Sequence, residues 1–154
     1  MNDISLYLAA PLFNARERAF NLEIAERFAP FANVYLPQRD GSLLVEMLNA
    51  GVPLPVAERR VFEQDCDALR RSNLLIAILD GAHIDEGVAF EIGFARAIGC
   101  LCIGLQTDAR RALPTGNNPM IGRALETIFG SEYDLELFVA GQAGMPRSVC
   151  EGGR

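Results

Sequence analysis

The sequence is poor in the residues on which many catalytic and binding devices depend. Its single histidine, His83, excludes a multi-histidine metal centre and leaves any Ser-His-Asp triad resting on one residue. Four cysteines, Cys66, Cys100, Cys102 and Cys150, show neither C-x-x-C spacing nor nearby histidines, so they read as reduced, mostly structural thiols. No apolar run approaches the ~20 residues that cross a bilayer. Nor does a basic segment followed by an apolar stretch open the chain, so a cytoplasmic protein with no membrane partner is expected. Lys and Arg are also scarce, 14 against 20 Asp and Glu, and a net charge of −6 argues against nucleic acid as a partner. The phosphate-cradling G-x-G-x-x-G and G-x-x-x-x-G-K-[ST] elements are missing as well, which sets aside dinucleotide and P-loop readings.

What is present is the balance of a globular protein, half hydrophobic and 22% charged, in a length of 154 residues that suits one domain. The expected division is a single domain over 1–140 and a Gly-rich, poorly ordered tail over 141–154. Residues 4–10 form a short apolar run stopped by Pro11, as in a buried strand opening into a loop. From Asn14 to Pro30 an amphipathic helix is expected, with Ala19, Leu22, Ile24, Ala25 and Phe28 inward. Residues 33–37 suggest a strand, 38–41 a polar turn, and 43–49 a short helix capped by Ser42. A helix over 56–71 follows, with Val56, Phe62, Cys66 and Leu69 inward, then a strand over 73–79 that is apolar enough to be covered on both faces. A helix over 87–98, a strand over 100–105, a helix over 120–129 and a last strand over 135–139 complete the pattern. This βα alternation predicts an α/β fold: a doubly wound, flavodoxin-like or Rossmann-like, mostly parallel five-stranded sheet with helices on both faces. Ligands of such folds sit at the carboxyl ends of the strands, which gathers 7–13, 38–41, 81–91 and 107–120 around one cleft.

That cleft is rich in acids. Asp85 stands in a loop, Glu91 just over one turn inside the next helix, and Asp65 can approach from the preceding helix. A pair of carboxylates serves chemistry at an anomeric carbon, one as nucleophile and one as acid for the leaving group. The helix N-terminus favours the ionised form that a nucleophile needs. Taken alone, Glu91 is more often a solvated first-turn acid.

Four separated segments add weight. Tyr7-Leu8-Ala9-Ala10-Pro11-Leu12-Phe13 resembles a Y-[LF]-A-x-P-x-F strand and loop, and Asp85-x-Gly87-x-Ala89-x-Glu91-x-Gly93-x-Ala95 resembles a D-x-G-[TV]-x-x-E-x-G-x-A signature. Asp65 stands twenty positions earlier, and Asn118-Pro119-Met120 is similar to a late N-x-M element. Together they resemble the nucleoside 2-deoxyribosyltransferase family over nearly the full chain. The resemblance implies Glu91 as nucleophile in a covalent 2-deoxyribosyl ester, Asp65 as the acid or holder of the base, and Tyr7 as the group positioning Glu91. It further implies Asp85 as acceptor of the sugar 5′-hydroxyl, with Gly87 and Met120 also at the substrate, and Asn118 joining the 5′-hydroxyl contact from a neighbouring subunit of a homo-oligomer. Gln38 is a candidate base-edge contact and Phe13 a candidate stacking ring. A deoxynucleoside donor and a free purine or pyrimidine acceptor would be the partners, with no cofactor.

Two rivals share much of this pattern. A nucleoside 5′-monophosphate N-glycosidase would use the same Glu91 with water as acceptor, but the anionic Asp85 opposes a phosphate. A non-catalytic nucleoside-binding module would not need Tyr7, Asp65, Asp85 and Glu91 together. Asp65 has a bland alternative in a pair with Arg59 or Arg60 of its own helix, and Tyr7 one as a core aromatic.

Overall fold

The computed structural model describes residues 4–108, 110 and 116–143. Five strands, β1 (Ser5–Ala9), β2 (Asn33–Tyr35), β3 (Leu74–Ile78), β4 (Leu101–Leu105) and β5 (Thr127–Phe129), pair in parallel throughout, in the order β2-β1-β3-β4-β5. Between and after them run α1 (Ala15–Phe28), α2 (Pro37–Asp40), α3 (Leu44–Asn49), α4 (Leu54–Arg71), α5 (Glu86–Ala97), α6 (Pro119–Ala124) and α7 (Glu132–Ala143). The expected doubly wound α/β sheet is therefore observed, with every described strand parallel. Among the described residues no helix is long and apolar enough to cross a membrane.

Alternation along the strands builds two apolar layers. Leu6, Leu8, Ile76, Ile78, Ile103 and Leu105 face α1 and α7, while Tyr7, Ala9, Leu75, Ala77, Leu79 and Cys102 face α4 and α5. β3 is buried at all five positions, as its unbroken apolar run requires of a strand covered on both sides. The strand order reverses between β1 and β3. There the crevice beyond the strand ends opens, and there Tyr7 and the turn into α5 lie.

Local chemistry sets the helix ends. The Asn14 side chain accepts from Glu17 N at 3.0 Å and the Glu17 carboxylate accepts from Asn14 N at 3.2 Å, a reciprocal cap that fixes where α1 starts. The inward stripe of α1 is Asn21, Ile24, Ala25 and Phe28; the last three are as expected, while Leu22 is 40% exposed and Ala19 is also outside. Asn21 takes the i, i+3, i+4, i+7 position because its amide has partners there, donating to Pro11 O and to Gln38 Oε1.

Other expectations require correction. The polar turn at 38–41 is a single helical turn, α2, with Pro37 at its start. α3 begins after Leu43 with no side-chain cap, so Ser42 does not cap it. Val56 and Phe62 are exposed by 48% and 56%, while Cys66 and Leu69 are buried as expected. The strand expected over 135–139 is the middle of α7, where Leu135 and Val139 are buried one turn apart. The helix expected over 120–129 ends at Ala124, and the chain then extends into β5. α7 continues to Ala143, past the expected boundary at 140. The remainder of the expected tail, Cys150 included, lies outside the described residues. The three other cysteines are buried and unbridged.

Candidate active site

The site begins with two tyrosines in register on neighbouring strands. Tyr7 of β1 pairs with Tyr35 of β2, and their rings stack with centroids 5.4 Å apart. Each hydroxyl donates to one carboxylate. Tyr7 Oη donates to Glu91 Oε1 at 2.5 Å, and Tyr35 Oη donates to Asp65 Oδ1 at 3.1 Å. Tyr7 is fully buried, so its hydroxyl has a partner rather than an orphaned position. Burial, and then the carboxylates of Glu91 and Asp65 respectively, push both phenols well above their ordinary range. Both therefore remain protonated donors at neutral pH.

Glu91 and Asp65 line the same cavity, of about 290 Å³, whose remaining walls are mostly apolar and include Leu44, Val61, Phe62 and Phe90. Glu91 stands in the second turn of α5. The helix N-terminus does not decide its protonation, contrary to expectation. Burial pushes the carboxyl up to about 8; the hydrogen bond from Tyr7 pulls it down, and the charges of Asp65 and Asp85 push it up further. Desolvation wins because the group lies beyond the first turn, where the dipole fades. Asp65 is likewise raised by burial and pulled back by Tyr35. Among the described residues Asp65 pairs with no arginine, so the alternative of a helix-surface ion pair is set aside. Each acid keeps one oxygen, Oε2 of Glu91 and Oδ2 of Asp65, without a hydrogen-bond partner among the described residues.

Asp85 caps α5. Its Oδ1 accepts from Gly87 N at 2.9 Å and from Val88 N at 3.1 Å. A Cβ at Gly87 would stand 3.0 Å from that oxygen, so glycine lets the carboxylate sit close over the helix end. The cap occupies with the chain's own carboxylate the backbone donors that would otherwise hold an anion.

Asn118 and Met120 stand elsewhere. They line a second cavity of about 550 Å³, formed by 81–84, Ala89, 116–118, Met120 and Ile121, the exposed His83 among them. Asn118 Oδ1 accepts from Met120 N and so caps α6, while the Met120 side chain is 81% exposed. Phe13 is 76% exposed in the loop after β1 and lines neither cavity. Gln38 has both ends of its amide engaged: Oε1 accepts from Asn21 and Nε2 donates to Arg18 O at 2.9 Å. It braces α2 against α1 and lines neither cavity. The structure thus brings Asp65, Glu91 and Gly87 to one cavity, with Tyr7 buried behind Glu91 and Asp85 at the adjoining helix end, and leaves Asn118, Met120, Phe13 and Gln38 apart from it. Tyr35, which joins this arrangement through its bond to Asp65, was not singled out from the sequence. Its only signal was a tyrosine at the carboxyl end of the short Asn-Val-Tyr strand.

Comparison with known proteins bears on the family and the fold. The profile of the nucleoside 2-deoxyribosyltransferase family matches residues 6–145. No curated protein matches. Among solved structures, a conserved protein from Enterococcus faecalis V583 superposes with a TM-score of 0.67 at 25% identity, over 89% of this chain and 97% of that one. The 2-deoxyribosyltransferase of Bacillus psychrosaccharolyticus gives 0.69 at 18% identity, over 94% and 98%. The CMP N-glycosidase of Clostridium botulinum gives 0.52 at 17% identity, over 87% and 96%. The latter two likenesses are of fold.

Proposed function

The chain belongs to the nucleoside 2-deoxyribosyltransferase family, and from that premise we propose that it exchanges the base of a 2′-deoxynucleoside through a covalent ester at Glu91. The observation that carries this reading is the pair of tyrosine-held acids on one cavity, each with a free oxygen. In the first step Glu91 Oε2 bonds to the anomeric carbon as the C–N bond breaks. The bonding electron pair leaves with the base, which takes the proton of Asp65. A second base then attacks the same carbon from the side the first one left, its N–H proton passes to Asp65, and the ester bond breaks with its electron pair returning to the Glu91 carboxylate, so configuration is retained.

Tyr7 fixes Glu91 and, by donating to it, favours the ionised form against the cost of burial. The mostly apolar wall of the cavity receives the base. Asp85 accepts the 5′-hydroxyl on Oδ2, while Gly87 keeps that end open. Exposed Asn118, Met120 and Phe13 reach the ligand of a neighbouring subunit in a homo-oligomer, which accounts for their distance from the acids of their own chain.

The hydrolase reading, a nucleoside 5′-monophosphate N-glycosidase, is weaker at Asp85. A 5′-phosphate there would meet a carboxylate already seated on the helix end, a like-charge contact in a partly dry site. Incubating the protein with deoxyinosine and free cytosine separates the readings. Deoxycytidine is the expected product. Release of hypoxanthine without deoxycytidine would support a hydrolase, and no turnover of either kind would support a binding module.

A further inference from the structure

We propose that Tyr35 is a positioning residue for this reaction, its hydroxyl holding Asp65 so that the acid can release its proton to the departing base. The inference rests on the reading of Asp65 as the acid of a base-exchange reaction, but the contact behind it is a property of the folded chain. Tyr35 Oη donates to Asp65 Oδ1 at 3.1 Å, across thirty residues of sequence. The ring is fixed from one side by stacking on Tyr7. Close approach fixes it at the tip: a Cβ at Gly41 would lie 3.1 Å from the hydroxyl, so the glycine leaves that space to it. The hydroxyl has one carboxylate oxygen to donate to, and Oδ2 stays free to carry the proton.

The chemistry explains why such a group matters. An acid in a mostly apolar cavity holds its proton tightly, because burial disfavours the carboxylate that proton transfer leaves behind. As the C–N bond breaks, the Asp65 O–H bond breaks too, an N–H bond forms on the base, and negative charge appears on Asp65. Tyr35 already donates to that charge, so no group has to reorganise as it develops. The other groups acting around this pair are Tyr7 from β1, Glu91 from α5, Glu58 and Cys66 on the same helix, and Arg71 and Asp40 near Tyr35. None of these donates a hydrogen bond to Asp65 among the described residues, so the task falls to Tyr35. In the register of the sheet, Tyr7 serves the nucleophile and Tyr35 serves the acid.

The test is to titrate the ¹³C-labelled Asp65 carboxyl in the wild-type chain and in Tyr35→Phe, beside base-exchange kinetics of both. In the variant Asp65 should titrate at higher pH, and kcat should fall roughly tenfold, most for bases that leave poorly, with a smaller change in KM. In an Asp65→Asn background the same substitution should cost no further kcat. Should Tyr35→Phe not fold, 3-fluorotyrosine in place of Tyr35 keeps the hydroxyl as a stronger donor and should move the Asp65 titration downward. An Asp65 carboxyl that titrates at the wild-type pH in either variant overturns the proposal. So does an equal loss of kcat from Tyr35→Phe with and without Asp65. If the wild-type chain exchanges no base, the proposed function fails, while the titration still decides whether Tyr35 governs Asp65.

Discussion

The cavity of Glu91 and Asp65 and the cavity of Asn118 and Met120 are built on opposite principles. In the first, each acid is held by a tyrosine that is itself stacked in the sheet, so the geometry exists before any ligand arrives. In the second, the Asn118 side chain caps its own short helix, and its neighbour Met120 is 81% exposed. On the proposed function, the difference separates what one chain organises alone from what it offers to a second subunit. Groups that form and break bonds need fixed positions, and burial against a sheet supplies them at the cost of shifted acidities. Groups that only close over a ligand can wait at the surface for a second subunit.

Several substitutions would break or sharpen this contrast. Glu91→Gln should have the largest effect, lowering base exchange by about 10³-fold or more in steady-state assays, with the fold intact. The same variant reports on stability. Burial raises the folded-state pKa of Glu91 to about 8, so between the usual carboxylate range and that pH the folded chain binds more protons than the unfolded one. Stability is then lost as pH rises through this window. Glu91→Gln should melt above wild type beyond pH 8 and close to it near pH 4, as thermal scans at the two pH values would reveal.

Next comes Asp65→Asn, with a loss of roughly 10²-fold that deepens for bases of low proton affinity, read from a series of donors. Tyr7→Phe should lose about tenfold in kcat and shift the ascending limb of the pH–rate profile upward, because removing its hydrogen bond leaves Glu91 to burial and to the charges of Asp65 and Asp85, all of which raise it. An unshifted limb would mean that Tyr7 only packs. Asn118→Ala should weaken substrate binding about tenfold, since one hydrogen bond is lost. Mixed with Glu91→Gln, it should regain part of the wild-type rate if subunits share sites, whereas a mixture as inactive as its parts would place each site within one chain. Gln38→Ala should be felt in stability, by about 1–2 kcal/mol in denaturant unfolding, because buried Asn21 loses one of its two acceptors.

The sequence was most readable where one physical signal dominated. The apolar runs of β1, β3 and β4 and the Asn14 cap of α1 announce themselves within a few residues. Reading failed where the signal was shorter than the element it had to reveal. β5 has three residues, too few for a period, and the apolar residues from 135 to 139 fit a strand as well as the helix they form. In the site, the spacing of Asp85, Gly87 and Glu91 was legible because all three lie on one turn and its helix. Tyr35 was not, because its bond to Asp65 depends on the pairing of β1 with β2 and on the path of α4, neither of which leaves a local mark. Gln38 misled for a related reason. Its amide looked free to read a base, and only the fold shows it engaged by Asn21 and Arg18.

The ester at Glu91 is the centre of the account, and trapping it is the most direct test. The protein would be mixed with a 2′-deoxynucleoside without acceptor base, quenched in acid within the first turnover, digested and weighed by mass spectrometry. One deoxyribosyl group on the peptide carrying Glu91, absent in Glu91→Gln and discharged when a free base is added before quenching, is the predicted result. Base released in the first turnover with no adduct, or with the adduct on another residue, would contradict it.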